Sequence, residues 1–154
     1  MTELMKGRLT TWEAVEEFLW AGNAMFTLQS LKRDGQRFTY KVRAKKEDVA
    51  AGRADVTYFV NLLRGPDNTG DFMYLGVARK PAQFNLTAAS RVGRAAPSFI
   101  ALLWFLDKMA RRREVLGQQV EFWHTGHCCR CARLLSVPAS VASGFGPECA
   151  RRVA

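Results

Sequence analysis

The metal-binding chemistry of this chain is gathered in one stretch: both histidines and all four cysteines fall after residue 123. The tail reads His124-Thr125-Gly126-His127-Cys128-Cys129-Arg130-Cys131, with Cys149 following after seventeen residues. Cys128 and Cys131 form a Cys-x-x-Cys pair, the spacing that lets two thiolates converge on one ion from a tight knuckle. Cys149 follows Gly144-Phe145-Gly146-Pro147-Glu148. Those glycines and the proline build a second turn, with a short helix expected over 150–153. A cysteine at a helix start ionises more easily, and thiolate is the ligating form. The expected fourth ligand is His124, four residues before Cys128. His127 is the next candidate and Cys129 the last. A Cys3His set is soft and closed, which suits structural zinc. The competing readings are a redox dithiol and simple burial of small apolar thiols.

Those ligands need elements to hold them. Thr10 and Glu13 have capping-box spacing, and Trp12, Val15, Phe18 and Leu19 recur at helical period, so a helix is expected over about 11–21. Strands are expected at 24–28, 37–43, 56–63 and 72–78, separated by turn sequences such as Asp34-Gly35 and the stretch from Gly65 to Asp71. Within 37–43, Phe38, Tyr40 and Val42 take one face and Arg37, Thr39, Lys41 and Arg43 the other, which makes the second face a basic stripe. Asp67, Asn68 and Asp71 read as turn residues, not as ligands. Pro97-Ser98 opens a second helix, with Ser98 as the expected N-cap, and Phe99 to Leu106 is apolar on every side, as befits a buried helix. Val120 to Trp123 reads as a short strand leading into the cysteine module. The expectation is an α+β domain over 1–117 with an antiparallel sheet of about four strands and two helices. A Cys3His zinc knuckle follows over 118–154.

Composition bounds the rest. A length of 154 residues fits one domain or one domain plus a small appendix. Hydrophobic residues make up 48% and charged residues 24%, a globular balance. The apolar run near 99–106 is too short to cross a bilayer, and MTELMKGRLT carries no apolar signal region, so a cytosolic setting and no membrane partner are expected. Cysteines clustered in a reducing compartment read as metal ligands before disulfides. Lys and Arg number 23 against 14 Asp and Glu, giving a net charge of +9 and a pI near 9.9. A surplus of that size is a statement about partners, and nucleic acid is the first of them.

The pattern Cys128-x-x-Cys131-x-Arg133-x-Leu135, Pro138-x-Ser140, Gly144-x-Gly146-Pro147-x-Cys149 resembles a small zinc-knuckle domain of unknown function common in bacteriophage and mobile-element proteins. That family usually has glycine where this chain has Ala132. The segments Phe38 to Val42 and Gly65 to Asn68 are similar to phage proteins that carry this tail. The resemblance implies a phage-type accessory protein working in the cytoplasm of a bacterial host, with no assigned reaction.

No phosphate-binding loop, Gly-x-Gly-x-x-Gly, His-Glu-x-x-His or deaminase signature is present in the sequence. No paired carboxylates with a nearby base stand out, so an enzyme is not the expected reading. The leading expectation is a non-enzymatic protein that binds nucleic acid or a ribonucleoprotein through basic surfaces. The residues expected to carry it are Arg37, Lys41 and Arg43, then Lys108, Arg111, Arg112 and Arg113, and Arg130, Arg133, Arg151 and Arg152 around the knuckle. Trp123 lies near these charges and could stack on single-stranded bases, whereas the alternation turns Tyr40 toward the core. The alternative is an anti-CRISPR-like inhibitor that docks directly on a host defence effector.

Overall fold

The computed structural model describes residues 5–32, 35–65, 70–135, 138–146 and 149. Seven strands form one antiparallel sheet: β1 (Gly7–Leu9), β2 (Asn23–Ser30), β3 (Arg37–Ala44), β4 (Tyr58–Leu63), β5 (Phe72–Arg79), β6 (Gln83–Asn85) and β7 (Val120–His124). Their order across the sheet is β1-β7-β2-β3-β4-β5-β6. Four helices are described: α1 (Trp12–Leu19), α2 (Lys46–Ala50), α3 (Pro97–Arg111) and α4 (Pro138–Ser143), with a 3-10 turn at Arg113–Gln118. This corrects the expectation of about four strands and two helices. The four expected strands are all present. The additions β1 and β6 have three residues each, and α2 and α4 have five and six. Elements that short show too little alternation or helical period to be recognised.

The largest departure is β7. The sequence attaches it to the knuckle, but it lies inside the sheet between β1 and β2, with Phe26 opposite His124 and Leu28 opposite Phe122. The knuckle therefore grows directly out of an inner strand.

One face of the sheet carries the core. Ala24, Phe26 and Leu28 of β2, Tyr40 and Val42 of β3, Val60 of β4 and Phe122 of β7 are all buried there. Helices α1 and α3 pack on this face. Phe26 and Phe122 stack with ring centroids 4.7 Å apart, and Phe18 of α1 and Phe105 of α3 meet Phe122 at 5.6 and 5.9 Å. Offset and edge-on ring contacts of this kind add to simple burial. Tyr40 is fully buried as its alternation requires, and its hydroxyl donates to the Ser98 carbonyl at 2.7 Å. Burial without a charged partner pushes its phenol far above the usual range.

Two helix starts differ from expectation. Thr11, not Thr10, caps α1: its hydroxyl accepts the Ala14 N–H at 3.3 Å. Ala96 precedes α3 with no side-chain cap, Pro97 opens the first turn, and Ser98 is buried inside it. Proline suits that position because its missing N–H has no helical partner there. No helix among the described residues is long and apolar enough to cross a membrane.

Candidate metal centre

After β7 the chain turns back on itself. The Leu135 N–H donates to the Gly126 carbonyl at 2.8 Å, and His127 and Leu134 form an isolated antiparallel bridge. Inside that loop the Cys128 N–H donates to Arg133 O at 2.8 Å and the Ala132 N–H returns to Cys128 O at 2.9 Å. Closing so tight a turn forces a left-handed residue, and Ala132 has φ 66°. This is the position where the resembling family has glycine, the residue that takes this conformation without steric cost.

The second half of the site comes from α4 and the turn after it. Gly144 has φ +80°, and a Cβ there would sit 2.5 Å from the Phe18 ring. Glycine at this position lets the backbone press against α1, and Gly144 O accepts the Cys129 N–H at 3.0 Å. The knuckle is also tied to the sheet by Asn23 at the start of β2. Its backbone N–H donates to Cys129 O and its side-chain amide to Arg130 O, both at 2.7 Å.

These turns bring Cys128, Cys131 and Cys149 together, with all three sulfurs within 4.8 Å of one another. A tetrahedral ion bonded to sulfur at about 2.3 Å separates its sulfurs by about 3.8 Å, so small side-chain adjustments close the set on a metal. Among the described residues this is the only cluster of three or more His, Cys, Asp or Glu side chains placed to hold an ion. Cys128 and Cys149 are buried and Cys131 is exposed.

The electrostatics favour a thiolate at Cys128. Burial alone pushes its thiol up, but backbone N–H groups of Gly146, Cys131 and Arg130 aim at the sulfur and outweigh that, bringing the pKa to about 7. The Arg130 N–H lies 3.4 Å from Sγ. Hydrogen bonds to the charged form stabilise it. Cys149 behaves oppositely: burial and the neighbouring thiols push it up to about 11. The charge of a Cys128 thiolate opposes ionisation of Cys149, and a bound cation removes that obstacle.

His124 occupies a different position from the one its spacing suggests. Its ring is fully buried and stacks on Phe18 at 5.8 Å. Nδ1 accepts the Gly126 N–H at 3.0 Å, so the neutral ring carries its proton on Nε2, which faces the Val141 carbonyl of α4. Both nitrogens are engaged, and burial holds the ring's pKa below the usual histidine range. His124 thus stands outside the sulfur cluster and clamps α4 to β7. His127 is half-buried with Nδ1 3.4 Å from the Thr125 hydroxyl. Burial, then the charge of Lys41, lowers its pKa. Cys129 is buried outside the cluster, and burial raises its thiol strongly.

The basic residues separate into distinct settings. At the end of α3 the charges are paired: Arg111 with Asp107 at 3.1 Å, Lys108 with Asp107 at 3.9 Å and Arg112 with Glu114 at 3.6 Å. Arg113 reaches across to α1, meeting Glu16 at 2.6 Å and Glu13 at 3.5 Å. On the knuckle, Arg130 and Arg133 are exposed. Arg151 and Arg152, the helix expected over 150–153, and Asp67 and Asn68 lie outside the described residues. The β3 stripe faces away from α1 and α3. There Lys41 sits over the Phe72 ring at 4.7 Å, Arg43 is exposed, and Arg37 Nη1 lies 3.5 Å from Met5 Sδ. Trp123 shares this face, its indole N–H held by Glu121 at 3.0 Å while Glu121 also pairs with Arg8 at 3.3 Å.

Alternation alone missed Asn23, because its importance lies in contacts with residues more than a hundred positions away. It also missed the aromatic side of the basic face, since Phe59, Phe72 and Tyr74 join β3 only through strand pairing. No curated protein and no solved structure matches the chain. The span that carries the sulfur cluster, residues 121–154, matches the model of a family of unknown function (DUF6011).

Proposed function

We propose that this chain is a non-enzymatic binding protein, stiffened by a structural zinc ion, that holds nucleic acid or a nucleoprotein on the face of its sheet opposite α1 and α3. One observation carries the reading. That face presents Arg37, Lys41 and Arg43, flanked by Arg8 paired with Glu121 at 3.3 Å and Arg79 paired with Asp55 at 3.9 Å, interleaved with partly exposed aromatic rings. Cations beside aromatics suit a polyanion that also offers flat bases.

Zinc is the favoured ion because the gathered ligands are sulfurs, the donor type that selects it over hard cations. Its role is structural: the module has few large side chains of its own, and metal binding supplies the folding energy. The resemblance of the tail favours a phage or mobile-element protein acting in the bacterial cytoplasm, where thiols stay reduced.

The test has two parts. Protein purified without chelator should carry one zinc per chain, and Cys128→Ser or Cys149→Ser should lose it. Fluorescence anisotropy with labelled nucleic acids at two salt concentrations should show affinity falling steeply with salt. Replacing Lys41 and Arg43 with Gln should weaken binding and flatten the slope. Absence of binding at low salt would overturn the nucleic-acid reading and turn attention to direct docking on a defence effector.

A further inference from the structure

The face opposite α1 and α3 has a finer structure than a basic patch. The register sets Lys41 opposite Asn61 and Asn61 opposite Tyr74, while Arg43 lies opposite Phe59 and Phe59 opposite Val77. Leu63 and Phe72 form the next pair. Lys41 Nζ stands 4.7 Å from the Phe72 ring centroid, so cation and ring share one surface. Phe59, Asn61, Phe72 and Tyr74 are all partly exposed, whereas Tyr58, Val60, Leu62 and Leu75 are buried on the other side. With adjacent strands about 4.8 Å apart, rings and cations form one continuous platform over β3, β4 and β5.

The platform ends in a cleft of about 430 Å³ lined by Arg64, Arg91, Phe72 and Tyr74, with Asp71 also on its wall. Both arginines are exposed, Arg64 reaching round the edge with its Nη1 3.4 Å from Met73 Sδ, and the Tyr74 hydroxyl is steadied by the Thr87 hydroxyl at 3.1 Å. Guanidinium groups beside aromatic faces can hold a phosphate while the attached base stacks.

We infer that this platform takes single-stranded nucleic acid, with bases stacked on Phe59, Phe72 and Tyr74 and phosphates met by Lys41, Arg43 and Arg91 of the cleft. The inference rests on the nucleic-acid reading above and names its substrate class. A duplex keeps its bases stacked inside and is read by a helix or a two-stranded ribbon entering a groove. Strands β3 and β4 are interior strands of the sheet and cannot enter one. An extended single strand can lie flat on them with its bases turned down. A second copy of this chain is the poorer occupant, because face-to-face pairing would bring Lys41 and Arg43 of two chains carrying +9 each against one another.

The experiment compares fluorescein-labelled oligo(dT), oligo(U) and a mixed-sequence duplex by anisotropy against the zinc-loaded chain. Single strands should bind more tightly than duplex, and the two single-stranded arms show whether DNA or RNA is preferred. Phe72→Ala and Tyr74→Ala should each weaken single-strand binding about tenfold, and Phe72→Tyr should retain it. Phe59→Trp supplies a signal that does not depend on truncation: its fluorescence should be quenched when a base stacks on it. Duplex preference, or unquenched Trp fluorescence with bound single strand, overturns the inference and leaves the nucleic-acid reading standing. Absence of binding to all three probes overturns both.

Discussion

Replacing His124 with Leu separates a structural histidine from a metal ligand. The structure gives the ring two tasks: accepting the Gly126 N–H at 3.0 Å and facing the Val141 carbonyl with its Nε2–H. Leucine fills a similar volume but does neither. Gly126 is buried, so its N–H is left without a partner, and an orphaned buried polar group costs about 1–3 kcal/mol. The lost contact to α4 adds to this, partly offset because Val141 is only half-buried and water can reach its carbonyl. The expected net loss is about 2–4 kcal/mol, within the range a domain of 5–15 kcal/mol can tolerate. Urea unfolding measures the loss, and mass spectrometry of the folded protein measures zinc. The variant should be less stable and still carry one zinc per chain. Loss of zinc in His124→Leu, with zinc retained in His127→Ala, would make His124 a ligand and refute the reasoning. Unchanged stability would refute the hydrogen-bond account.

Ala132→Gly should relieve the left-handed strain at φ 66° and stabilise the zinc-bound knuckle by about 0.5–1 kcal/mol after the entropy cost of glycine, read as tighter zinc affinity in a chelator competition. Arg113→Ala should cost about 0.5–1 kcal/mol in thermal unfolding, because its pairs with Glu13 and Glu16 are partly exposed, and should leave oligonucleotide affinity nearly unchanged. Asp48 accepts the Thr57 N–H at 2.9 Å, and that bond first, then Arg53 and Lys45, holds its carboxyl below the usual range despite opposing desolvation. A carboxylate with a lowered folded pKa stabilises fully above its unfolded value of about 3.9 and loses that contribution as pH falls through the folded pKa. Asp48→Asn should therefore flatten the stability profile below about pH 4, and an acid limb identical to the parent's would count against this assignment.

Local chemistry was legible in the chain because it depends on near neighbours. The Cys-x-x-Cys spacing, the two glycines before Cys149 and the alternation from Arg37 to Arg43 predict the knuckle and a strand with one basic face. Backbone geometry over a few residues is enough to produce them. Even the left-handed turn at Ala132 coincides with the one departure from the resembling pattern. The partners of these pieces were not legible. His124 has ligand spacing, yet the approach of α4 turns its ring to other work. The arginines closing α3 look like one basic patch, yet Asp107, Glu114, Glu13 and Glu16 pair with them, the last two from a helix far earlier in the chain.

The sheet shows the same division. β3 declares itself by alternation and β2 by a short apolar run, while β1 and β6 are too short for a period to show. The insertion of β7 between β1 and β2 joins residues about a hundred positions apart. Sequence by itself determined the thiol chemistry, the excess of positive charge and the inward and outward faces of the long strands. Tertiary structure decided which sulfurs meet, which charges are already paired and which aromatics stand beside Lys41 and Arg43. Hydrogen-bond register and packing act between segments distant along the chain, and no local pattern of residue types encodes them.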